Sequence, residues 1–223
     1  MADEQLLEYL ENFITEERKQ RFLKILEDRT KLVTVAIEDI YQMHNASAVI
    51  RSCEVFGIQE AHIIESRFGK KLDDQIAMGA QKWVDVHRHS NTGNCIETLK
   101  RDGYRVIATT PHNDSTFLED FKVDGKTALF FGTERSGLSQ EAIDMSDGFL
   151  KIPMLGFTES LNISVSAAII LQHLTAKIRA SDLSWGLTES EKMDKRLDWT
   201  KKSIRSIDDV LHRFQTEIMK DDV

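Results

Sequence analysis

KIPMLGFTESLNISVSAAIILQ (Lys151–Gln172) is the stretch on which the reading of this chain turns. A strand end runs into a loop holding Pro153 and Gly156, and the loop opens into a long apolar helix. One capping residue suffices for a plain core helix, yet Glu159, Ser160 and Asn162 all gather at this start. HNASAVIRS (His44–Ser52) and FFGTERSG (Phe130–Gly137) share that character. Each sets polar groups at the junction of a strand and a helix, where open α/β sheets build ligand sites. Together they point to an enzyme.

Outward from these stretches, apolar strands alternate with helices. LVTVAIEDI (Leu32–Ile40), AHIIE (Ala61–Glu65), Trp83–His87, Tyr104–Thr109, TALFFG (Thr127–Gly132) and GFLKIP (Gly148–Pro153) read as strands. Helices are expected at Asn45–Phe56, Asp73–Gly79, Cys95–Arg101, Ser139–Met145 and Asn162–Arg179. This alternation predicts an α/β fold with a mainly parallel sheet covered on both faces. Residues 1–30 read as a helical N-terminal extension, with Thr15 as a cap and Glu16 and Glu17 in the first turn. Residues 31–180 form the core. Residues 181–223, charged and helical with a break near Trp199–Ser206, form a C-terminal extension.

Composition narrows the possibilities. The 223 residues are 41% hydrophobic and 30% charged, ordinary for a globular protein. No apolar run approaches a membrane span, and the acidic start MADEQLLEYLENF lacks the order of a signal peptide. Cys53 and Cys95 read as buried reduced thiols without metal or redox spacing, which fits the cytoplasm. The net charge of −8 argues against indiscriminate coating of nucleic acid, so any RNA-binding face must be local. The first strand is followed by YQMHNAS, without the glycines of a dinucleotide turn, and GTERSGLS carries Leu138 where a P-loop needs lysine.

Taken singly, each polar group has a structural explanation. Asn45 can cap a helix while Arg51, about 240° around the axis, lies on the surface. Glu134 and Arg135 can be a solvated loop pair, Ser160 and Asn162 can be caps, and His44 fits either reading.

The ordered triple is more specific. Asn45-x5-Arg51, Gly132-x-Glu134-x2-Gly137 and Ser160-Leu161-Asn162 resemble the three motifs of the SPOUT-superfamily RNA 2′-O-ribose methyltransferases. The similarity covers about residues 31–180. The extensions, from the TEER helix to a charged tail with Trp185 and Trp199, look most like the branch acting on guanosine 18 of tRNA. The resemblance implies a C-terminal trefoil knot over about residues 127–179, a rare exception to unknotted topology. It implies S-adenosylmethionine as cofactor, with Thr109, Gly132, Glu134, Ile152, Met154 and Leu161 at the binding positions. It implies Arg51 as the central catalytic residue, with Asn45, Glu134, Ser160 and Asn162 arranging the site, and a homodimer in which motif-one residues reach the partner's cofactor. tRNA would be held by Arg18, Lys19, Arg21, His44, Lys192, Lys195, Arg196 and Lys202, unless these merely solvate amphipathic helices.

Sibling enzymes acting on ribosomal RNA or on a tRNA wobble ribose are the neighbouring readings. A non-catalytic RNA-binding protein on the same scaffold is a further one, disfavoured by the presence of the whole polar set. His87 and His89 form an H-x-H on a strand with no further ligand cluster in sequence, so no metal is expected.

Overall fold

A computed structural model describes residues 2–38, 43–65, 79–111, 115–133 and 136–221. Its helices are α1 (Ala2–Glu11), α2 (Glu16–Leu26), α3 (Met43–Val55), α4 (Thr92–Arg101), α5 (Gln140–Met145), α6 (Ile163–Arg179), α7 (Glu189–Ser203) and α8 (Ile207–Asp221). The strands are β1 (Val33–Glu38), β2 (Glu60–Ile64), β3 (Asp85–His89), β4 (Arg105–Thr109), β5 (Thr116–Phe117), β6 (Thr127–Phe131) and β7 (Gly148–Lys151). The helix expected near residues 73–79 falls almost wholly outside the described residues.

Residues 30–185 form one compact unit around a seven-stranded sheet of order β3-β2-β1-β6-β4-β7-β5, with every pairing parallel. β1 is buried along its whole length because it lies between β2 and β6, with Val35 opposite both Ala61 and Leu129. Its alternating side chains serve two cores. Val33, Val35 and Ile37 join Leu129 and Phe131 beneath α3 and α6, which contribute Val49, Ile50, Ile170, Leu171 and Leu174. Ala36, Ala128 and Phe130 pack on the opposite face with Cys95, Ile96 and Leu99 of α4. Helices therefore cover both faces, as the pattern requires. The two-residue β5 beside β7 was too short for any periodic signal to reveal.

The carboxyl end of β1 carries a buried acid. Glu38 is only 3% exposed and accepts from the Thr92 hydroxyl, from the Ser139 backbone N–H at 2.7 Å and from the Ser139 Oγ at 2.6 Å. Ser139 Oγ in turn accepts from the Ala142 N–H at 3.1 Å and caps α5. One carboxylate thus ties the starts of α4 and α5 to β1.

The two chain ends, read from the sequence as separate extensions, fold into one compact unit made of residues 1–29 and 186–223. Leu7 and Leu10 of α1 pack with Leu197 of α7 and Val210 of α8. Trp199, expected at a helix break, lies buried inside α7; Phe22 meets it edge-on at 5.6 Å and the Arg29 guanidinium covers it at 5.3 Å. The chain breaks between Ser203 and Ile207, within the expected Trp199–Ser206 range but after Trp199 itself. Thr188 and Glu191 form a capping box at the start of α7.

Glu11 closes α1 by accepting from Lys19 Nζ at 2.8 Å and from the Arg196 guanidinium. Burial works to raise its pKa, but hydrogen bonds from Arg196 and Lys19 outweigh that and hold the carboxyl below its ordinary value. A carboxylate depressed by folding contributes stability above its unfolded pKa of about 4.3, and the contribution disappears as pH falls through the lower folded value. Glu11→Gln is therefore expected to lower stability to urea at pH 7 and to flatten the loss of stability below about pH 4. Identical acid slopes in wild type and variant would show that Glu11 does not drive it.

Candidate active site

The site begins where β6 ends. A side-chain carbon on Gly132 would sit 2.1 Å from the Gly137 carbonyl carbon and 2.2 Å from the Leu138 nitrogen, so no other residue fits without moving backbone. The returning turn is tightly made. Thr133 and Gly137 exchange backbone hydrogen bonds of 2.9 Å in both directions, and Gly137 takes the left-handed φ of 66°. The Ser136 N–H donates to Thr133 Oγ1 at 3.1 Å. Glu134, in the same motif, lies outside the described residues. Glu38 holds the far end of the turn through Ser139.

The second wall is the segment between β7 and α6. Asn162 caps α6, its Oδ1 accepting from the Ser164 N–H at 2.9 Å. Its Nδ2 donates at 3.4 Å to Oδ1 of Asn45, a residue of α3 that is only 7% exposed. The capping and the functional readings of Asn162 are thus compatible, because one amide performs the cap and reaches the first motif.

Turn, segment and strand ends enclose a cleft of about 540 Å³. It lies at the carboxyl ends of β4, β6 and β7, the side of a parallel sheet where ligands bind. Thr109, Gly132, Ile152, Met154, Leu161 and Ser160 all line it, so five of the expected cofactor positions and one catalytic candidate converge. Thr109 itself is committed, its Oγ1 donating to the Phe130 carbonyl at 2.7 Å. Thr110, Thr133, Ser136, Lys151 and Ser166 line the cleft too and were not foreseen. Thr110 and Lys151 stand at strand ends, a position that could have suggested them.

Arg51 is placed differently. It is exposed on α3 and does not line the cleft of its own chain. The side chain of His44 lies outside the described residues. The other expected RNA contacts belong to the helical unit, and most are already engaged. Lys19 and Arg196 hold Glu11, Lys195 lies 3.7 Å from Asp198, and Lys202 meets Asp198 at 2.7 Å. Lys192 bonds Glu27 at 2.7 Å and Glu189 at 3.0 Å, and these two hydrogen bonds raise its pKa. Arg18 and Arg21 stand exposed on α2.

Residues 32–172 match the model of the SpoU rRNA Methylase family. A tRNA (guanosine(18)-2′-O)-methyltransferase of Borreliella burgdorferi is 39% identical over 197 residues, covering 88% of this chain and 90% of that protein. The solved Aquifex aeolicus TrmH/SpoU tRNA modifying enzyme superposes with a TM-score of 0.75 at 28% identity, over 85% of this chain and 98% of that one. The SpoU methyltransferase AviRb from Streptomyces viridochromogenes, solved with its cofactor AdoMet, shares the fold at 22% identity and a TM-score of 0.59, over 71% of this chain and 62% of that one. A family match spanning most of the sheet unit, and a relative similar along nearly the whole chain, make this protein a member of the SpoU rRNA Methylase family.

Proposed function

We propose that this chain transfers a methyl group from S-adenosylmethionine to a ribose 2′-hydroxyl of tRNA, at guanosine 18. The observation that carries this is the convergence of the second and third motifs on one cleft, with the family membership of the chain behind it. The relative along 88% of the chain bears the guanosine 18 name, which favours that target over ribosomal or wobble riboses.

The cleft suits the cofactor. Its 540 Å³ falls within the ~300–1,000 Å³ of small-ligand sites. Ile152, Met154 and Leu161 offer an apolar slot for a purine, and Gly132 keeps backbone amides within reach of the ligand. S-adenosylmethionine, when bound, supplies an electrophilic sulfonium methyl.

The ribose hydroxyl is a poor nucleophile, so the protein must orient it, take its proton and stabilise the oxyanion that develops. Ser160, exposed at the cleft, and Asn162, linked to Asn45, orient the sugar. Arg51 carries a fixed positive charge and a planar fork suited to phosphate, so it clamps the target phosphate and stabilises the alkoxide rather than acting as a base. Glu134 belongs to the same assembly by its motif.

Arg51 acts across a homodimer in this reading. It does not line its own cleft, and large apolar side chains stand in solvent on the elements that carry the motifs: Val55 on α3 (64% exposed), Leu155 (99%) and Phe157 (108%) in the cleft segment, and Val165 (45%) on α6. Apolar surface of this kind suits an interface. The trefoil knot over about residues 127–179 is inferred from family membership. A cytoplasmic location follows from a tRNA substrate; among the described residues no helix is long and apolar enough to cross a membrane.

Three measurements test this reading. Gly132→Ala should abolish S-adenosylmethionine binding in calorimetry, with the fold retained by circular dichroism; full binding would detach the cleft from the cofactor. Arg51→Ala and Gly132→Ala, each inactive alone, should regain about a quarter of wild-type activity when mixed and reassembled, because half the dimers then hold one intact composite site. No recovery would place each site within a single chain. Arg18→Glu with Arg21→Glu should weaken tRNA binding and reduce its salt slope by about one per lost phosphate contact, leaving cofactor binding unchanged. An unaltered slope would remove α2 from the tRNA surface. Charge reversal is the suitable probe because deleting α7 and α8 would uncover Leu10 and Phe22.

A further inference from the structure

β3 is an edge strand, and alternation puts Asp85, His87 and His89 on its face towards α4. His87 pairs in register with His62 of β2, and the His62 and His87 rings stack at 5.0 Å. His62 Nδ1 and His89 Nε2 approach to 3.0 Å. Cys95 projects from α4 onto the same place, so that one nitrogen of His62, one of His89 and the Cys95 Sγ all lie within 4.8 Å of one another. His62 is 6% exposed, and its Nε2 finds no hydrogen-bond partner among the described residues. The 3.0 Å contact is a ring-to-ring hydrogen bond, so a cation between these two nitrogens would take its place, the shared proton moving to the other nitrogen of its ring.

We propose that His62, His89 and Cys95 bind a zinc-type divalent cation that fastens the β3 edge of the sheet to β2 and α4. Two imidazoles and a thiolate are the donors such ions favour. With metal–nitrogen distances of ~2.0–2.1 Å, the 3.0 Å separation of the nitrogens subtends about 95° at the ion, so a small opening gives tetrahedral coordination. Cys95 closes the third position by a shift of about 1.2 Å or less from its 4.8 Å limit. The fourth position opens towards the exposed His87 and water.

Burial acts on the two ligands in opposite ways, keeping the His62 ring neutral and opposing the Cys95 thiolate until a cation binds. Burial, and then the neighbouring His87 and His89, push His62 down to about 3, so the ring is neutral and able to ligate. Burial, and then the charge of Glu38, push the Cys95 thiol up to about 12. Binding therefore converts Cys–SH and the cation to a metal thiolate and releases one proton. The cation also supplies cohesion that β3 otherwise lacks, since no apolar side chain of this strand faces α4.

The test uses full-length protein without a histidine tag, stripped by a chelator and titrated with Co²⁺ as a coloured substitute for Zn²⁺. About one equivalent per chain should bind, with a thiolate-to-cobalt band in the near ultraviolet, the strong visible bands of four-coordinate cobalt, and release of both on adding Zn²⁺. Zn²⁺ should also raise the melting temperature. Cys95→Ser should abolish the near-ultraviolet band, and both it and His89→Gln should weaken binding at least tenfold and cancel the thermal shift, with S-adenosylmethionine binding retained. Since His89 is only partly buried, its variant serves if Cys95→Ser fails to fold. Absence of the thiolate band, its survival in Cys95→Ser, or equal affinity in wild type and His89→Gln (an adventitious ion only) would overturn the proposal. Methyl transfer is measured separately, so neither result depends on the other.

Discussion

The buried carboxylate of Glu38 is the point on which the working end of this protein hangs. It terminates β1, where the pleat would otherwise leave a charged group in an apolar layer, and donors from the starts of two helices converge on it. A buried charge is tolerated only when it is so compensated, and removing a partner costs more than the hydrogen bond alone. Those donors fix Ser139, hence the turn from Gly132 to Leu138, hence one wall of the cleft. The other wall is set by an amide pair, Asn162 and Asn45, that joins two helices packed on the opposite face of the sheet. The cleft is thus held from both layers of the fold, and its lining joins strand ends, helix starts and the turns between them.

Division of labour between the two compact units follows the chemistry. The sheet unit supplies rigidity, a narrow backbone approach at Gly132 and polar groups at strand ends. In the helical unit most of the basic side chains of α7 are neutralised by acids of the same unit. Surface ion pairs of this type contribute little stability, and a polyanion can exchange for the carboxylates at modest cost.

Much of the fold was legible because β-branched runs such as VTVAIE and TALFF leave few alternatives in a chain that alternates strand with helix. The place of the cleft was legible from the second and third motifs, since glycine at 132 and asparagine at 162 each have a local backbone reason visible in the letters. Three matters were not. Arg51 is exposed on α3 and does not line the cleft of its own chain, which no one-dimensional spacing reveals. The basic residues of α7 looked like a patch, but their partners Glu11 and Glu27 come from the opposite end of the chain. His62, His89 and Cys95 meet only because β2, β3 and α4 are neighbours in space; in sequence they are an isolated histidine, half of an H-x-H and an unremarkable helical cysteine.

The joining of both chain ends in one unit has a consequence for synthesis. α1 and α2 emerge from the ribosome first, with Leu7, Leu10 and Phe22 uncovered, and the residues that cover them, Leu197, Trp199 and Val210, emerge last. Nearly the entire sheet must therefore be translated while the leading helices wait with their apolar faces open. A premature stop anywhere before α7 yields a product whose exposed surface is ready-made bait for chaperones and proteases.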